Sequence, residues 1–486
     1  MIALFQKVRM PVQSMHPSKS VFPLFRYWKL AAAITAQTMA LASCTGTPMA
    51  VEEMSAALSA ELASASAEAA EPVALSNGFA SAVARAVETN AGYRATLAHE
   101  REAASRVGVV SSVRWPQLNA NANLGGLREL DSAGDTMTGI SGGIILSQLI
   151  YDGGESTAVI NRATAEALGA QAQRFVHANT LALEVAQAWI DVWQFDQRVR
   201  LLRSRISEME AMVRQMERMA ANGFVDRAAL DSARRQIVDV QLEETRLLAD
   251  LANAQVRFHQ HFRQEPGRLS QPPEIVTPAV ARAQAGAWQN APSLEVGAAN
   301  LIAARHGVAE AEAAFHPRLR LQTGLRTPMD TADPASGNFG LGFDFDLLDG
   351  RRRLHQLEAA IARRAAVEVQ LQEEQVRLEA ELAAALERLS GIERSMPLVA
   401  EQIRLSDSEV ETSRSQIATG QSTLRQLVEA EVENYRAQDR QIAMRAERHI
   451  LLLTIAARTG ELGRLIGLQT EPLSEERDPV MLARQE

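Results

Sequence analysis

Cysteine occurs once in 486 residues, which excludes a disulfide scaffold and any multi-cysteine zinc or iron–sulfur site. Aromatic side chains make up only 5% of the chain although 46% of it is hydrophobic. Alanine and leucine therefore carry the apolar content, as in helix-rich proteins packed along narrow seams. Positive charge is in deficit: a net charge of −9 offers no basic face to a phosphate backbone and argues against a nucleic-acid partner. No run of eighteen apolar residues occurs, which excludes a multi-helix membrane transporter. Catalytic groupings are missing too, with no Ser/His/Asp or Cys/His arrangement. Gly340 and Gly342 fit a strand pattern without phosphate-loop spacing. His259 and His261 stand two apart and do not share a helix face as metal ligands would. The chain is expected to be no enzyme and to hold no cofactor or metal. Its length would suggest about three compact domains, but an extended helical protein suits this composition better.

The N-terminus reads as a targeting segment. Residues 1–43 hold five basic side chains (Lys7, Arg9, Lys19, Arg26, Lys29) and no acid. Leu30 to Ala42 is mostly apolar, too short to span a bilayer, and fits a signal peptide. It ends in Leu41-Ala42-Ser43-Cys44, which resembles a bacterial lipobox, so Cys44 would be lipidated and become the mature N-terminus. Residues 44–71, rich in Ala, Ser and Glu with no aromatic residue, read as a tether or loose helix. Pro72 opens the folded body.

That body is one unit written twice. A helical pattern beginning at Asn90-Ala91-Gly92 runs to Trp115-Pro116, and a second, beginning at Asn290-Ala291-Pro292, runs to His316-Pro317. After each proline come a short alternating stretch, a polar loop, a second alternating stretch and an Asp-Gly turn, Asp152-Gly153 and Asp349-Gly350. Long helical segments then reach Gly223 and Gly420, and the same shift relates Ala163 to Ala360, Glu184 to Glu381 and Leu230 to Leu427. Glu155 to Asn222 contains no proline, giving a rod of roughly 100 Å; Arg351 to Thr419 is similar, with a kink expected at Gly391 and Pro397. Gly223 and Gly420 let the chain reverse into helices over 226–262 and 422–457, so each repeat contains a long helical hairpin. The limits are residues 72–268 for the first repeat, 269–289 for a linker or equatorial segment, 290–468 for the second repeat and 469–486 for a loose tail.

The alternating stretches carry the function. Leu118 to Leu124 and Leu319 to Arg326 alternate apolar and polar. Phe339, Leu341, Phe343, Phe345 and Leu347 share a face opposite Gly340, Gly342, Asp344 and Asp346, and Ile140 to Leu149 is a weaker example. Period two over 7–10 residues means half-buried strands, close to the length of a transmembrane β-strand with its apolar side toward lipid. With an export signal and Arg320, Arg326, Asp344 and Asp346 off the lipid face, outer-membrane lipid is the expected surrounding. Four strands cannot close a barrel, because unsatisfied edges in hydrocarbon cost several kcal/mol per group and the smallest membrane barrels use about eight strands. Three copies pooling their strands would give twelve.

The order and repetition of these motifs resemble the TolC-like outer-membrane factors, the exit ducts of bacterial efflux pumps and type I secretion systems. The resemblance spans residues 72–468. It rests on Leu149-Ile150-Tyr151-Asp152-Gly153-Gly154, Leu347-Leu348-Asp349-Gly350-Arg351-Arg352, Asn222-Gly223-Phe224-Val225 with Leu230, and Thr419-Gly420-Gln421-Ser422-Thr423-Leu424 with Leu427-Val428-Glu429. It implies a mainly α fold with a small membrane β part: a homotrimer whose twelve-stranded barrel continues into a twelve-helix periplasmic tunnel. The tips, Gly223, Phe224, Val225, Gly420, Gln421, Ser422 and Thr423, would meet a periplasmic adaptor protein, itself engaged with an inner-membrane pump or ATP-driven exporter. Glu429, and less securely Asp231, would narrow the tunnel entrance, where Gln426 stands in place of the family's frequent aspartate. Pro116, Pro317, Asp152, Gly153, Asp349 and Gly350 would mark the junction of barrel and tunnel, with Trp115 at the membrane–water boundary. A periplasmic coiled-coil structural or adaptor lipoprotein with a soluble β-domain is the competing reading. Adaptors have one hairpin, whereas this chain has two at a constant shift.

Overall fold

The computed structural model describes residues 51–67, 72–75, 78–128, 136–222, 227–273, 277–327, 334–418 and 423–468. The chain divides into a unit ending at Ala69 and one beginning at Ala70. In the first, α1 (Val51–Ala67) is an alanine-rich helix whose Val51, Met54 and Leu58 are all exposed. The signal segment and Cys44 lie outside the described residues.

In the second unit, α2 (Phe79–Thr89) and α3 (Ala91–Ser111) lead into β1 (Gln117–Arg128) and β2 (Thr136–Tyr151). Next come α4 (Glu155–Ala221) and α5 (Arg227–Phe262), the short α6 (Thr277–Gln284), and α7 (Pro292–Ala313), which opens the second round. That round continues through β3 (Arg318–Thr327), β4 (Ser336–Asp344), α8 (Arg352–Ala418), α9 (Leu424–Arg458) and the one-turn α10 (Leu462–Leu465). The two long helices, α4 and α8, each have 67 residues, or about 100 Å at 1.5 Å per residue. Local chemistry starts the equivalent helices differently. Asn90 caps α3 by accepting hydrogen bonds from the Gly92 and Tyr93 amides, whereas α7 begins with Pro292, which has no amide to satisfy. Gly391 and Pro397 both lie inside an uninterrupted α8. Proline there costs the Glu393 carbonyl its helical donor, yet the helix continues.

The main core sits about halfway along α4, where α2, α5, α6, α8, α9 and α10 meet it. Trp189 is 2% exposed and is boxed by Phe79 (5.7 Å, edge-on), Phe258 (6.0 Å) and Phe262 (5.9 Å). Its indole N–H donates to the Ser270 carbonyl at 3.1 Å, so the ring is buried without an orphaned donor. Ala279 and Ala283 of α6 are buried in the same cluster, so the segment between the repeats is a packed part of the waist. A second cluster runs from Val199 to Met216 on α4 against Leu230 to Leu247 on α5, with Val428 and Tyr435 of α9. Apolar side chains recurring every three or four residues on these faces form the seam between the long helices.

Two strand limits differ from the sequence expectation. β2 starts before Ile140 and runs through Tyr151. β4 stops at Asp344, so Phe345 and Leu347 lie beyond it; the chain must leave the sheet there to reach the Asp349 turn that starts α8. No described helix is long and apolar enough to cross a membrane.

Trp189→Ala is expected to lower unfolding stability by about 3–5 kcal/mol, the usual cost of emptying a large buried aromatic site. Trp115→Ala, at a ring 70% exposed, is expected to stay within about 0.5 kcal/mol. Chemical unfolding followed by helical circular dichroism checks both.

Candidate functional site

The sheet has the order β1-β2-β3-β4, antiparallel throughout, so β1 and β4 each keep one edge unpaired. Its register aligns like with like. Leu118 lies opposite Leu146, Leu124 opposite Ile140, Ile144 opposite Leu325, Leu321 opposite Leu341, and Leu319 opposite Phe343, all on one face. Leu118, Leu124, Leu325, Phe339, Leu341 and Phe343 are each between 66% and 78% exposed. A contiguous apolar face of this kind is rare on a soluble monomer and marks a membrane or partner surface. Gln148, the polar side chain at the end of that face, donates to the Arg114 carbonyl at 2.6 Å. The opposite face carries Asn119, Asn121, Asn123, Ser141, Ser147 and Gln322, with Ile145 and Leu149 as its apolar members on β2. The alternation read from the sequence thus becomes one apolar and one mainly polar surface.

At the junction between sheet and helices, the two Asp-Gly turns do the same work with different residues. Asp152 accepts from the Gly154 amide (3.0 Å) and the Ser156 amide (2.7 Å) and so caps α4. Asp349 accepts from the Arg351 amide (3.1 Å) and the Arg353 amide (3.2 Å), with the Arg353 guanidinium at 2.6 Å. Both turns put two successive residues in the left-handed region: Gly153 and Gly154 at φ 66° and 92°, Gly350 and Arg351 at 63° and 69°. Gly153 is doubly constrained, since a Cβ there would lie 2.3 Å from the Cβ of His316. That contact joins the first turn to the residue before Pro317. Arg318 extends the tie with a bidentate pair to Glu155 at 2.8 and 2.7 Å. Burial pushes the Asp152 carboxyl up, but the hydrogen bonds from Ser156 and Gly154 outweigh it and hold the group below the ordinary carboxylate range. Arg353 holds Asp349 low in the same way. Trp115 is exposed next to Pro116.

At the far end of the helices, Gly223, Phe224, Val225, Gly420, Gln421 and Ser422 lie outside the described residues. Thr423 caps α9 in a capping box with Gln426, which occupies Gln426 in helix initiation. Glu429 pairs with Arg425 at 2.7 Å, both about half exposed, and Asp231 lies 3.7 Å from Arg234. Neither acid is therefore bare. Glu429 borders a groove between α5 and α9 lined also by Asp239, Glu243, Tyr435 and Asp439. Burial together with the Asp439 and Glu243 carboxylates pushes the Tyr435 phenol up, while Asp439 holds Arg198 of α4 in a bidentate pair at 2.6 and 3.0 Å.

One constellation is not foreseen from the sequence. Glu431 of α9, 1% exposed, receives Arg205 of α4 and Arg414 of α8, each at 2.6 Å. Asn434, equally buried, accepts from Arg205 at 3.0 Å and donates to Ser406. The available signal was a Glu and an Asn on the stripe of α9 that also holds Leu427, Val428 and Tyr435. Charge on an apolar helix stripe implies a buried partner. Among the described residues no cluster of three or more potential metal ligands occurs.

The profile of the family described as outer membrane efflux protein matches residues 82–261 and 285–461, one stretch for each repeat. No match was found among curated proteins. Among solved structures, CusC, whose structures concern folding and transmembrane channel formation, superposes with a TM-score of 0.69 at 16% identity, covering 78% of this chain and 91% of that one. A membrane protein from Pseudomonas aeruginosa gives 0.69 at 18%, covering 80% and 92%. The CmeC outer membrane channel of Campylobacter jejuni gives 0.68 at 13%, covering 78% and 84%. At these identities the likeness speaks for the fold.

Gly153→Ala is expected to destabilise the fold by roughly 1–3 kcal/mol or more through left-handed strain and the His316 clash. Gly350→Ala, with open space around it, is expected to cost only the strain of about 1 kcal/mol; thermal unfolding of the two variants side by side checks the order. Because the folded Asp152 carboxyl is lowered, its ionised form stabilises the fold. That contribution is complete above the unfolded value of about 4 and is lost as pH falls through the lower folded value. The stability gap between wild type and Asp152→Ala is therefore expected at about pH 6 and should close below about pH 4.

Proposed function

The chain belongs to the outer membrane efflux protein family, a family of channels and not of enzymes, and on that premise we propose that it is the passive exit duct of a tripartite efflux or type I secretion system. Three copies pool their sheets into a twelve-stranded barrel, and the long helices of each copy continue it as a periplasmic tunnel. The observation that supports this most is the open sheet: an exposed apolar face bounded by two unpaired edges. In hydrocarbon every backbone amide and carbonyl on those edges needs a partner. The symmetric solution is for β1 of one copy to meet β4 of the next, repeated until the ring closes.

In this reading residues 72–268 and 290–468 are the two repeats, 269–289 the waist segment between them, and 469–486 a tail. Residues 1–43 are a signal peptide and Cys44 carries the lipid of a tether running to residue 71. The turns around Gly223, Phe224, Val225 and around Gly420, Gln421, Ser422 and Thr423 receive a periplasmic adaptor, which couples the duct to an inner-membrane pump or ATP-driven exporter. Glu429, Asp231 and Gln426 stand near the narrow end. Pro116 and Pro317 bring α3 and α7 into the sheet, and the Asp152-Gly153 and Asp349-Gly350 turns lead out of it into the long helices.

Detergent-extracted protein from outer-membrane fractions is expected to run as a trimer on unheated gels and as a monomer after boiling, with chemical cross-linking stopping at three. A stable, water-soluble monomer after replacement of Cys44 would overturn the duct and favour a periplasmic lipoprotein.

A further inference from the structure

We infer that the polar face of the sheet selects for anions through Arg320 and Arg326, so that the duct favours solutes carrying carboxylate or phosphate groups. The inference rests on the barrel reading, which turns this face toward the lumen. Among the described residues the face carries four charged side chains: Arg318, Arg320 and Arg326 on β3, and Asp344 at the end of β4. Two of these sit at the helical end, where Arg318 is held by Glu155 and has Asp344 as its register partner. Among the described residues the other two have no acid as a register partner. Arg320 lies between Leu149 and Gly342, and Arg326 lies between Gly143 and Ser336. Their remaining surroundings on that face are uncharged: Asn121, Asn338, Gln322 and Ser147 offer hydrogen bonds, and Ile145 and Leu149 are apolar.

A guanidinium does not lose its proton in proteins, so both positions are positive at every physiological pH. Six residues of strand separate them by about 20 Å, more than the Debye length of about 8 Å at physiological salt. Three copies therefore make two independent belts of three positive charges each. Within a wall of low dielectric such belts concentrate anions, and the fork of each guanidinium matches carboxylate and phosphate oxygens. At the other end Glu429 is paired with Arg425 and Asp231 lies beside Arg234, and the double substitution leaves the acids of that end in place. Acidic residues of segments 129–135 and 328–333 fall outside the described residues; substitution of the two arginines leaves them in place and so separates their effect.

The test uses the full-length trimer in planar phosphatidylcholine bilayers under an about tenfold KCl gradient, reading selectivity from the reversal potential. Wild type is expected to pass chloride over potassium by at least about two-fold. Arg320→Gln with Arg326→Gln is expected to bring the ratio to about one or below, and Arg320→Lys with Arg326→Lys to retain it. Unheated gels verify that each variant is still trimeric. A cation-preferring wild type, or a ratio unchanged in the glutamine variant, would overturn the inference while leaving the pore reading intact. An assembled trimer with no conductance would overturn both.

Discussion

An exposed strand edge in hydrocarbon is a row of amides and carbonyls with nothing to bond, and most of this molecule is arranged around that fact. Each subunit carries four strands in sequence order with the outer two open on one side. Water could satisfy those edges in a soluble protein, but the same sheet exposes leucine, isoleucine and phenylalanine across one whole face, a surface that water disfavours. Lipid removes the cost of the apolar face and raises the cost of the edges. The proposed association of like subunits would relieve both.

In the proposed ring, the helices would continue the barrel. Two 67-residue helices per subunit leave the sheet through capped Asp-Gly turns and are clamped halfway by the Trp189 aromatic cluster. Contacts above and below the waist fix how the two repeats face each other. Gly153 packs on His316, Glu155 holds Arg318, and Arg205 of the first long helix reaches Glu431 of the last hairpin. These ties all cross from one repeat to the other. Removing one partner from a buried pair leaves an uncompensated charge, so Glu431 with its two arginines locks the hairpins together in a way that apolar seams, which tolerate sliding, do not.

Duplication did not preserve chemistry position by position. The first turn uses two glycines where the second places Arg351 in a left-handed conformation, and asparagine caps one short helix where proline starts the other. The geometry survived because several local solutions satisfy the same unpaired amides at a helix start. The family profile accordingly matches both halves of the chain, while solved channels of the same fold share under a fifth of its residues.

Much of this was legible beforehand because it depends on periodicity. Alternation along Leu118–Leu124 and Phe339–Phe343, the paired X-Pro steps and the proline-free stretch after Asp152 are local signals, and they locate strands, junctions and rods. The end of β4 at Asp344 was not legible, since Phe345 and Leu347 keep the alternation after the backbone has turned away. Nor was the pairing of Glu429 with Arg425, where a one-turn ion pair competes with the ring that a symmetric assembly would make. By itself the sequence determined the elements, their repetition and the two-faced character of each strand. Only the tertiary structure decided which residues of distant strands and helices share a face: that Arg320 and Arg326 have uncharged register partners, leucine, glycine and serine, and that Glu431 is shut between two arginines. Those facts follow from register and packing between segments separated by up to hundreds of residues, which no local pattern encodes.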